Sequence, residues 1–163
     1  ADHKKIKPMN KLKVLIRKAI QKDIHDLVAF QQRMARETEG KELNEALLLE
    51  GVRTVLLSPT KGYYLIAEVD GNIVAGLLVT YEWSDWRNAT FLWIQSVYVD
   101  RGYRRKGIYR ALHEYVMDCA WESTDICGLR LYVDRDNVNA QKTYSSLGMV
   151  KSHYDMYEID FVL

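Results

Sequence analysis

The pattern of apolar and polar positions changes its period several times along the chain. Residues 13–19 are rich in β-forming side chains and predict a first strand. Apolar residues then recur near helical spacing, which predicts helices over 24–37 and 44–57. Asp23 precedes the first helix at a position suited to an N-cap.

The middle of the chain has the pattern of β-strands. Two β-rich runs within 63–83 flank Asp70-Gly71, a pair suited to a tight primed turn, and they predict a hairpin. The second run is almost entirely apolar, which is typical of a central strand that is covered on both faces. Residues 90–99 predict another strand.

The last third of the chain alternates between the two periods. A helix is predicted over 107–121 and a strand over 129–133. A second helix is predicted from about residue 137 to residue 147, with Gly148 as its stop. Residues 154–162 alternate apolar with acidic side chains and predict a final strand.

The predicted order of elements is therefore β-α-α-β-β-β-α-β-α-β, an α/β fold of the mixed α+β kind. Such an order is neither a regular βαβ repeat nor an all-β pattern, and it predicts one mixed sheet with helices on both faces. The length of 163 residues suits a single domain, which we place at 11–163 after a polar tail at 1–10.

Composition narrows the classes of function. The net charge is +1, so the global balance favours neither nucleic acid nor a membrane surface as a partner. No apolar run approaches the about 20 residues that a membrane-spanning helix needs. Cys119 and Cys127 lack metal-type spacing, which favours free thiols in a reducing cytoplasm. His113 is predicted to lie on the surface, and no metal-ligating set emerges.

The stretch "VDRGYRRKGIYRAL" contains the strongest local chemistry. A strand, a loop and a helix that begins at Gly107 let backbone N–H groups converge on one point. Arg104, Arg105 and Lys106 add positive charge there. The arrangement suits a pyrophosphate, although it lacks the glycine spacing of the common nucleotide loops. The alternative interpretation is a basic surface turn.

A second polar stretch, "DRDNVNAQKTYSSLGM", begins the next helix. Asn137 is suited to an N-cap, and Tyr144 lies two helical turns later on the same face. By itself, Tyr144 has the pattern of a half-buried aromatic residue on a helix.

Together the two stretches resemble the GNAT superfamily of acetyl-CoA-dependent N-acetyltransferases. That family's pyrophosphate loop, Q/R-x-x-G-x-G/A, is matched by "RRKGIY", in which Tyr109 replaces the small residue. Its second signature is matched by Asn137, Ala140, Tyr144, Gly148 and Met149. The resemblance covers about 13–161 and implies a mostly antiparallel sheet of about six to seven strands.

The resemblance also implies roles for individual residues. The backbone of the strand before the loop would pair with the pantetheine arm, the loop amides would hold the pyrophosphate, and Tyr144 would protonate the leaving thiolate. The implied acetyl-CoA site comprises Val97, Tyr98, Val99, Arg104, Arg105, Lys106, Gly107, Ile108, Tyr109, Arg110, Asn137, Ala140 and Tyr144.

The acceptor amine must lose a proton before it attacks, because a lysine-like amine has a pKa of about 10.4. Many relatives place a glutamate where this chain has Gln95, which cannot act as a base but could orient water or the acceptor. Glu82 is the best alternative base, with Asp85 behind it. Two other interpretations are that both carboxylates are solvated strand ends and that the proton leaves through ordered water.

The sequence around the predicted acceptor end is acidic and aromatic. It supplies Glu39, Trp83, Asp85 and Trp86 as candidate acceptor residues, with Glu37 and Glu42 nearby. Rings attract ammonium groups, so we expect a cationic small-molecule or peptide amine. The pattern loosely resembles the polyamine and thialysine acetyltransferase branch. Alternatively, the tryptophans bury against a second copy in a homodimer, or the chain is a catalytically weak acyl-CoA-binding module.

Overall fold

The computed structural model describes residues 12–162. It contains five strands: β1 Val14–Lys18, β2 Tyr63–Val69, β3 Asn72–Ser84, β4 Ala89–Val99 and β5 Ile126–Arg130. It contains four α-helices: α1 Ile24–Glu39, α2 Glu45–Leu57, α3 Ile108–Glu122 and α4 Val138–Ser146. The chain separates into two compact units, one ending at Leu131 and one beginning at Tyr132, and each is described by itself.

The strands of the first unit form one sheet in the order β1-β2-β3-β4-β5. Neighbouring strands are antiparallel except β4 and β5, which are parallel. The predicted mixed, mostly antiparallel sheet is thereby confirmed, as is the central position of β3. Asp70 and Gly71 have φ values of 51° and 77°, so the hairpin has the predicted primed turn.

Helices cover both faces of this sheet, as predicted. On one face, Ile108, Leu112 and Val116 of α3 pack against the buried side chains of the sheet. On the other face, Leu27 of α1 and Val52 of α2 form a second buried cluster with the opposite side chains of the same strands. Each of these fully buried side chains stabilises the fold by about 1.5–3 kcal/mol.

The predicted number of strands is wrong, because the described residues form five strands rather than six to seven. The last predicted strand, 154–162, has no regular secondary structure, and Tyr157, Ile159 and Phe161 are exposed. Alternating side chains favour a strand only where a neighbouring strand bonds to the backbone, and within 12–162 no strand pairs with this segment. The β5 strand also begins three residues earlier than expected, at Ile126.

The prediction that His113 lies on the surface is also wrong. His113 is buried, four residues after Tyr109 and three before Val116, so it lies beside the apolar stripe of α3. Its burial lowers the pKa of the imidazole. The predicted tail at 1–10 lies outside the described residues, and the single domain over 11–163 stays a prediction.

Candidate active site

The strand β4 changes its geometry at a bulge near its end. Ser96 has a φ of 51°, and the pairing with β3 shifts register between Gly76 and Leu78. On the other edge of β4, the pairing with β5 ends at Trp93 and Arg130. In the described part of the chain, the last residues of β4 therefore pair with a strand on one edge only.

The backbone direction after the bulge follows from one hydrogen bond. The Asp100 N–H donates to the Val74 carbonyl oxygen at 2.8 Å, so this residue bonds toward β3. Because N–H groups alternate along a strand, those of Val97 and Val99 point to the opposite edge. An unpaired strand edge can bind an extended chain through backbone hydrogen bonds. This edge suits the amide-containing arm that the resemblance of the motifs implies there.

The loop after β4 brings free amides to the start of α3. Arg105 and Gly107 have φ values of 62° and 80°, both in the left-handed region. Within residues 12–162, the N–H groups of Arg105, Lys106, Gly107 and Ile108 donate no hydrogen bond. The first bond of this helix joins the Ala111 N–H to the Gly107 carbonyl oxygen at 3.0 Å. Such a helix start attracts anions.

Gly107 and Tyr109 leave this helix start accessible. A Cβ placed on Gly107 would meet no described protein atom within 4 Å, so the space beside it is open. Tyr109 packs against the apolar core beneath α3, and its hydroxyl lies 3.4 Å from Nδ1 of His113. The bulky side chain at the position of a small residue is therefore accommodated by the core.

The arginine at the first position of the loop motif is directed backwards along β4. Arg104 donates from Nε to the Val99 carbonyl oxygen at 2.8 Å and from one terminal nitrogen to Glu37 Oε2 at 2.7 Å. Arg101 Nε and the Tyr98 hydroxyl each donate to Glu37 Oε1 at 3.0 Å. We call Glu37, Tyr98, Arg101 and Arg104 the Glu37 cluster.

The Glu37 cluster borders an open depression of about 380 Å³. Its lining residues are Arg33, Arg36, Glu37, Tyr98, Asp100 and Arg101. Burial by itself would raise the pKa of Glu37, but the hydrogen bonds from Arg104 and Tyr98 outweigh it and hold the pKa below its usual range. Sequence reasoning placed Glu37 at the acceptor end and missed this contact, because nothing in the sequence links it to a loop more than 60 residues away.

The candidate base Glu82 and Gln95, the candidate for orienting water or the acceptor, lie on the face of the sheet that α1 and α2 cover. Gln95 donates from Nε2 to Thr80 Oγ1 at 2.5 Å. Glu82 accepts a hydrogen bond from Trp93 Nε1 at 3.2 Å and forms an ion pair with Arg130. The carboxylate of Glu82 is therefore already engaged by a cation and by an indole N–H.

The candidate acceptor residues are not brought together around Glu82. Trp83 follows Glu82 directly in β3, so its side chain points to the opposite face of the sheet. Trp86 is 86% exposed, and its backbone N–H donates to Asp85 Oδ1 at 3.0 Å. Glu39 pairs with Lys41 at 3.0 Å at the end of α1. Their role toward an acceptor stays a prediction.

In the second unit, Asn137 caps the start of helix α4 and Tyr144 lies within that helix. The Asn137 side-chain oxygen accepts from the Ala140 N–H at 3.1 Å, so Asn137 is the N-cap that its sequence suggested. Gly148 has a φ of 89° and follows the end of the helix, as predicted. Burial raises the pKa of Tyr144, so its hydroxyl keeps its proton at neutral pH.

No group of three or more histidine, cysteine and acidic side chains in 12–162 could hold a metal ion. None of the described helices is long and apolar enough to cross a membrane.

Comparison with known families and structures identifies the family and the fold. The model of the acetyltransferase (GNAT) family matches residues 22–149. The structure of a possible acetyltransferase from Clostridium difficile 630 is 46% identical, with a TM-score of 0.85, over 92% of this chain and 99% of that one. Among curated proteins, no sequence matches significantly.

More distant structures share the fold. A predicted acetyltransferase with acetyl-CoA from Clostridium acetobutylicum is 21% identical, with a TM-score of 0.73, over 91% of this chain and 96% of that one. A ribosomal-protein-alanine N-acetyltransferase from Brucella melitensis biovar Abortus 2308 is 23% identical, with a TM-score of 0.73, over 91% and 99%.

Proposed function

The chain belongs to the GNAT family of acetyltransferases, which use acetyl-CoA, and from that premise we propose that it acetylates a primary amine by direct attack in a ternary complex. The observation that carries the proposal is the junction of β4 and α3. An open strand edge and a helix start with free amides follow each other directly along the chain. They match the two chemical halves of the cofactor, a pantetheine arm and a pyrophosphate.

The protein groups fit that ligand. We assign the Val99 N–H to the amide-containing arm, keep the Val97 N–H for the thioester, and assign the amides from Arg105 to Ile108 to the phosphate oxygens; the support is that these loop amides donate no hydrogen bond within residues 12–162. Lys106 and Arg105 add positive charge, whereas Arg104 is engaged with Glu37 and Val99. We therefore assign Arg104 to the shape of the loop rather than to a direct phosphate contact.

Bound acetyl-CoA supplies an acetyl thioester, whose carbonyl carbon the acceptor amine attacks. The Val97 N–H is a suitable donor to the carbonyl oxygen as negative charge develops there. We assign protonation of the leaving sulfur to Tyr144, an assignment that rests on the resemblance of its motif. The raised pKa of its hydroxyl is consistent with a donor that is protonated at neutral pH.

Loss of the amine proton is assigned to the face of the sheet that carries Thr80, Gln95 and Glu82. Gln95 and Thr80 are hydrogen-bonded to each other, which suits a pair that orients water or the acceptor nitrogen. The carboxylate of Glu82 is engaged in an ion pair with Arg130. We therefore favour relay through water held at Gln95, with Glu82 as the final acceptor.

The acceptor is proposed to be a cationic small-molecule or peptide amine, and a polyamine-like compound is one candidate. The support is the carboxylate of Asp85, which forms no ion pair within residues 12–162, beside the exposed Trp83 and Trp86; Glu39, Glu42 and Glu82 are each paired with a cation. The exposed Trp86 is also available to a second copy of the chain, so a homodimer belongs to the proposal. A cytoplasmic location is proposed from the free cysteines.

One observation favours a second candidate, an acyl-CoA-binding module with weak catalysis. Both groups nearest the expected base position are engaged, Gln95 with Thr80 and Glu82 with Arg130. Such a module would bind acetyl-CoA with the same residues and turn over slowly with every amine.

The deciding experiment is a thiol-release assay with acetyl-CoA and a panel of polyamines, amino acids, aminoglycosides and peptides. We expect amine-dependent release of CoA with at least one cationic member and confirmation of the acetylated product by mass spectrometry. Binding of acetyl-CoA without release above the rate of hydrolysis, across the whole panel, would instead support the binding module.

The role of Tyr144 has its own test. Tyr144→Phe removes the hydroxyl alone, so we expect kcat to fall by about 100-fold while affinity for acetyl-CoA stays within about twofold. An unchanged kcat would remove Tyr144 from the proton path.

A further inference from the structure

We propose that Glu37 is a positioning residue for the cofactor loop, which it holds in its binding shape from the end of helix α1. This inference deepens the proposed function and rests on it. Glu37 lies in the last turn of α1, 61 residues from Tyr98 and 67 residues from Arg104 along the chain. Its carboxylate is a direct connection between that helix and the loop.

Both oxygens of this carboxylate are used. Oε1 accepts from the Tyr98 hydroxyl and from Arg101 Nε, each at 3.0 Å, and Oε2 accepts from Arg104 at 2.7 Å. The three donors come from the end of β4, from the short turn after it and from the first residue of the loop motif. A single side chain therefore fixes three consecutive parts of the segment that leads into α3.

Arg104 transmits this restraint to the backbone. Besides its bond to Glu37, its Nε donates to the Val99 carbonyl oxygen at 2.8 Å, and its guanidinium lies 5.4 Å from the centre of the Tyr98 ring. These contacts close the segment from Val99 to Arg104 into a compact turn. The guanidinium is held along β4, so the helix start beyond it stays open.

The loop needs such a restraint because its backbone is strained. Arg105, directly after Arg104, has a φ of 62°, in the left-handed region that costs a residue with a Cβ about 1–2 kcal/mol. Strained residues of this kind persist where surrounding contacts fix them, and they occur at binding sites. Glu37 supplies the contact on the residue immediately before the strained one. The amides that follow are the proposed phosphate ligands.

The position on α1 adds to the attraction. The carbonyl end of a helix carries a partial negative charge, and the guanidinium groups of Arg101 and Arg104 meet the last turn of α1 there. Exposed ion pairs contribute little to stability, and the Arg101 and Arg104 side chains are substantially exposed. We therefore expect the cluster to act on the shape of the loop more than on global stability.

The test compares Glu37→Gln with Glu50→Gln, a matched control. Glu50 forms an exposed ion pair with Arg53 on α2 and has no contact with the loop. We expect Glu37→Gln to raise the Kd for acetyl-CoA, measured by calorimetry, by about tenfold and Glu50→Gln to leave it within about twofold. The KM for acetyl-CoA should rise in parallel, whereas kcat at saturating acetyl-CoA should stay within about twofold.

A double variant tests whether Glu37 acts through Arg104. Arg104→Gln removes the ion pair from the other side, so adding Glu37→Gln to it should raise the Kd by less than Glu37→Gln does alone, the remainder coming from the bonds to Tyr98 and Arg101. Fully additive losses would overturn the proposed connection. Should Glu37→Gln not fold, Tyr98→Phe and Arg101→Gln replace it, each removing one bond to the same carboxylate, and wild-type affinity in both would overturn the proposal.

The possible failures are distinct. If wild-type protein does not bind acetyl-CoA, the proposed function and this inference both fall. If wild-type protein binds and folded Glu37→Gln binds equally well, the inference alone is overturned. A loss of kcat without a change in the Kd would also overturn it, because it would place Glu37 in the chemical step.

Discussion

The two ends of helix α1 each carry a carboxylate bound by arginine, but the surroundings of the two differ. At the start, the Asp23 carboxylate accepts hydrogen bonds from both terminal nitrogens of Arg17, at 2.8 and 2.9 Å, and from the Ile20 N–H. At the end, Glu37 accepts from Arg101, Arg104 and Tyr98. The side chain of Asp23 is 3% exposed and that of Glu37 is 19% exposed.

The arginine partners of the two carboxylates differ in solvent exposure in the same direction. Arg17 is 26% exposed and binds Glu68 as well, so it joins β1, β2 and the start of α1 in one enclosed group. Arg104 is 42% exposed and belongs to the loop before α3. The same pair of chemical groups therefore stabilises the sheet at one end of the helix and shapes a binding loop at the other. This comparison leads to four predictions.

The largest expected effect is at the buried end. Asp23→Ala should lower the free energy of unfolding by about 3 kcal/mol, because Arg17 would lose the carboxylate that binds both of its terminal nitrogens in a mostly enclosed site. Chemical denaturation measures the loss. Affinity of the folded variant for acetyl-CoA should stay unchanged. A loss below about 0.5 kcal/mol, which is typical of surface pairs, would remove the distinction between the two ends.

The pH dependence of stability should also differ between the two ends. Hydrogen bonds from Arg17 hold the pKa of Asp23 below its usual range, so its stabilising effect is present above the unfolded-state pKa of about 3.9. That effect is lost as the pH falls through the lower, folded-state pKa. Urea unfolding between pH 5 and pH 3 should therefore show a shallower decline in Asp23→Asn than in the wild type. Glu37→Gln should flatten the profile less, and an equal effect would contradict the comparison.

At the loop end, Gly107→Ala should separate binding from stability. The φ of 80° is strained for alanine, but the added Cβ meets no described protein atom within 4 Å, so the stability loss should stay near about 1 kcal/mol. The Kd for acetyl-CoA should rise by at least about tenfold, because the methyl group would stand where the backbone approaches the phosphates. Calorimetry and thermal denaturation measure the two effects. Retained affinity would show that the phosphate binds elsewhere.

The smallest effect is expected for an exposed ion pair between two residues of the same helix. Glu50→Gln removes the exposed contact with Arg53 on α2, so both stability and acetyl-CoA affinity should change by less than about 0.5 kcal/mol. The same denaturation and calorimetry experiments apply. A larger change in stability or affinity would mean that solvent exposure does not determine how much an ion pair of this protein contributes.

Local rules were sufficient for much of the fold. Asp70-Gly71 predicted the primed turn, the apolar run of β3 predicted its central place, and Gly107 predicted the start of α3. Each of these features depends on residues that are close together in the sequence, so the residue types and their spacing are enough to predict it. The resemblance of the two motifs was sufficient for the family.

Tertiary contacts explain where the structure differs from the sequence-based predictions. The alternation at 154–162 predicted a strand, but a strand also requires a partner, which no local pattern supplies. His113 was expected at the surface because it was placed opposite the apolar stripe of α3; the buried face of this helix is wider than that stripe and includes it. Glu37 was assigned to the acceptor end from the resemblance, and its contacts with Arg101 and Arg104 were missed because they join distant parts of the chain.

The central claim is that the open edge of β4 and the start of α3 bind acetyl-CoA. Calorimetric titration of the wild-type protein with acetyl-CoA, beside Gly107→Val, tests it most directly. We predict saturable binding at one site in the wild type and its loss in folded Gly107→Val. At about 100 times the Kd, the ligand should add about 2.7 kcal/mol to wild-type stability. No binding to the wild type, or equal binding to both proteins, would contradict the claim.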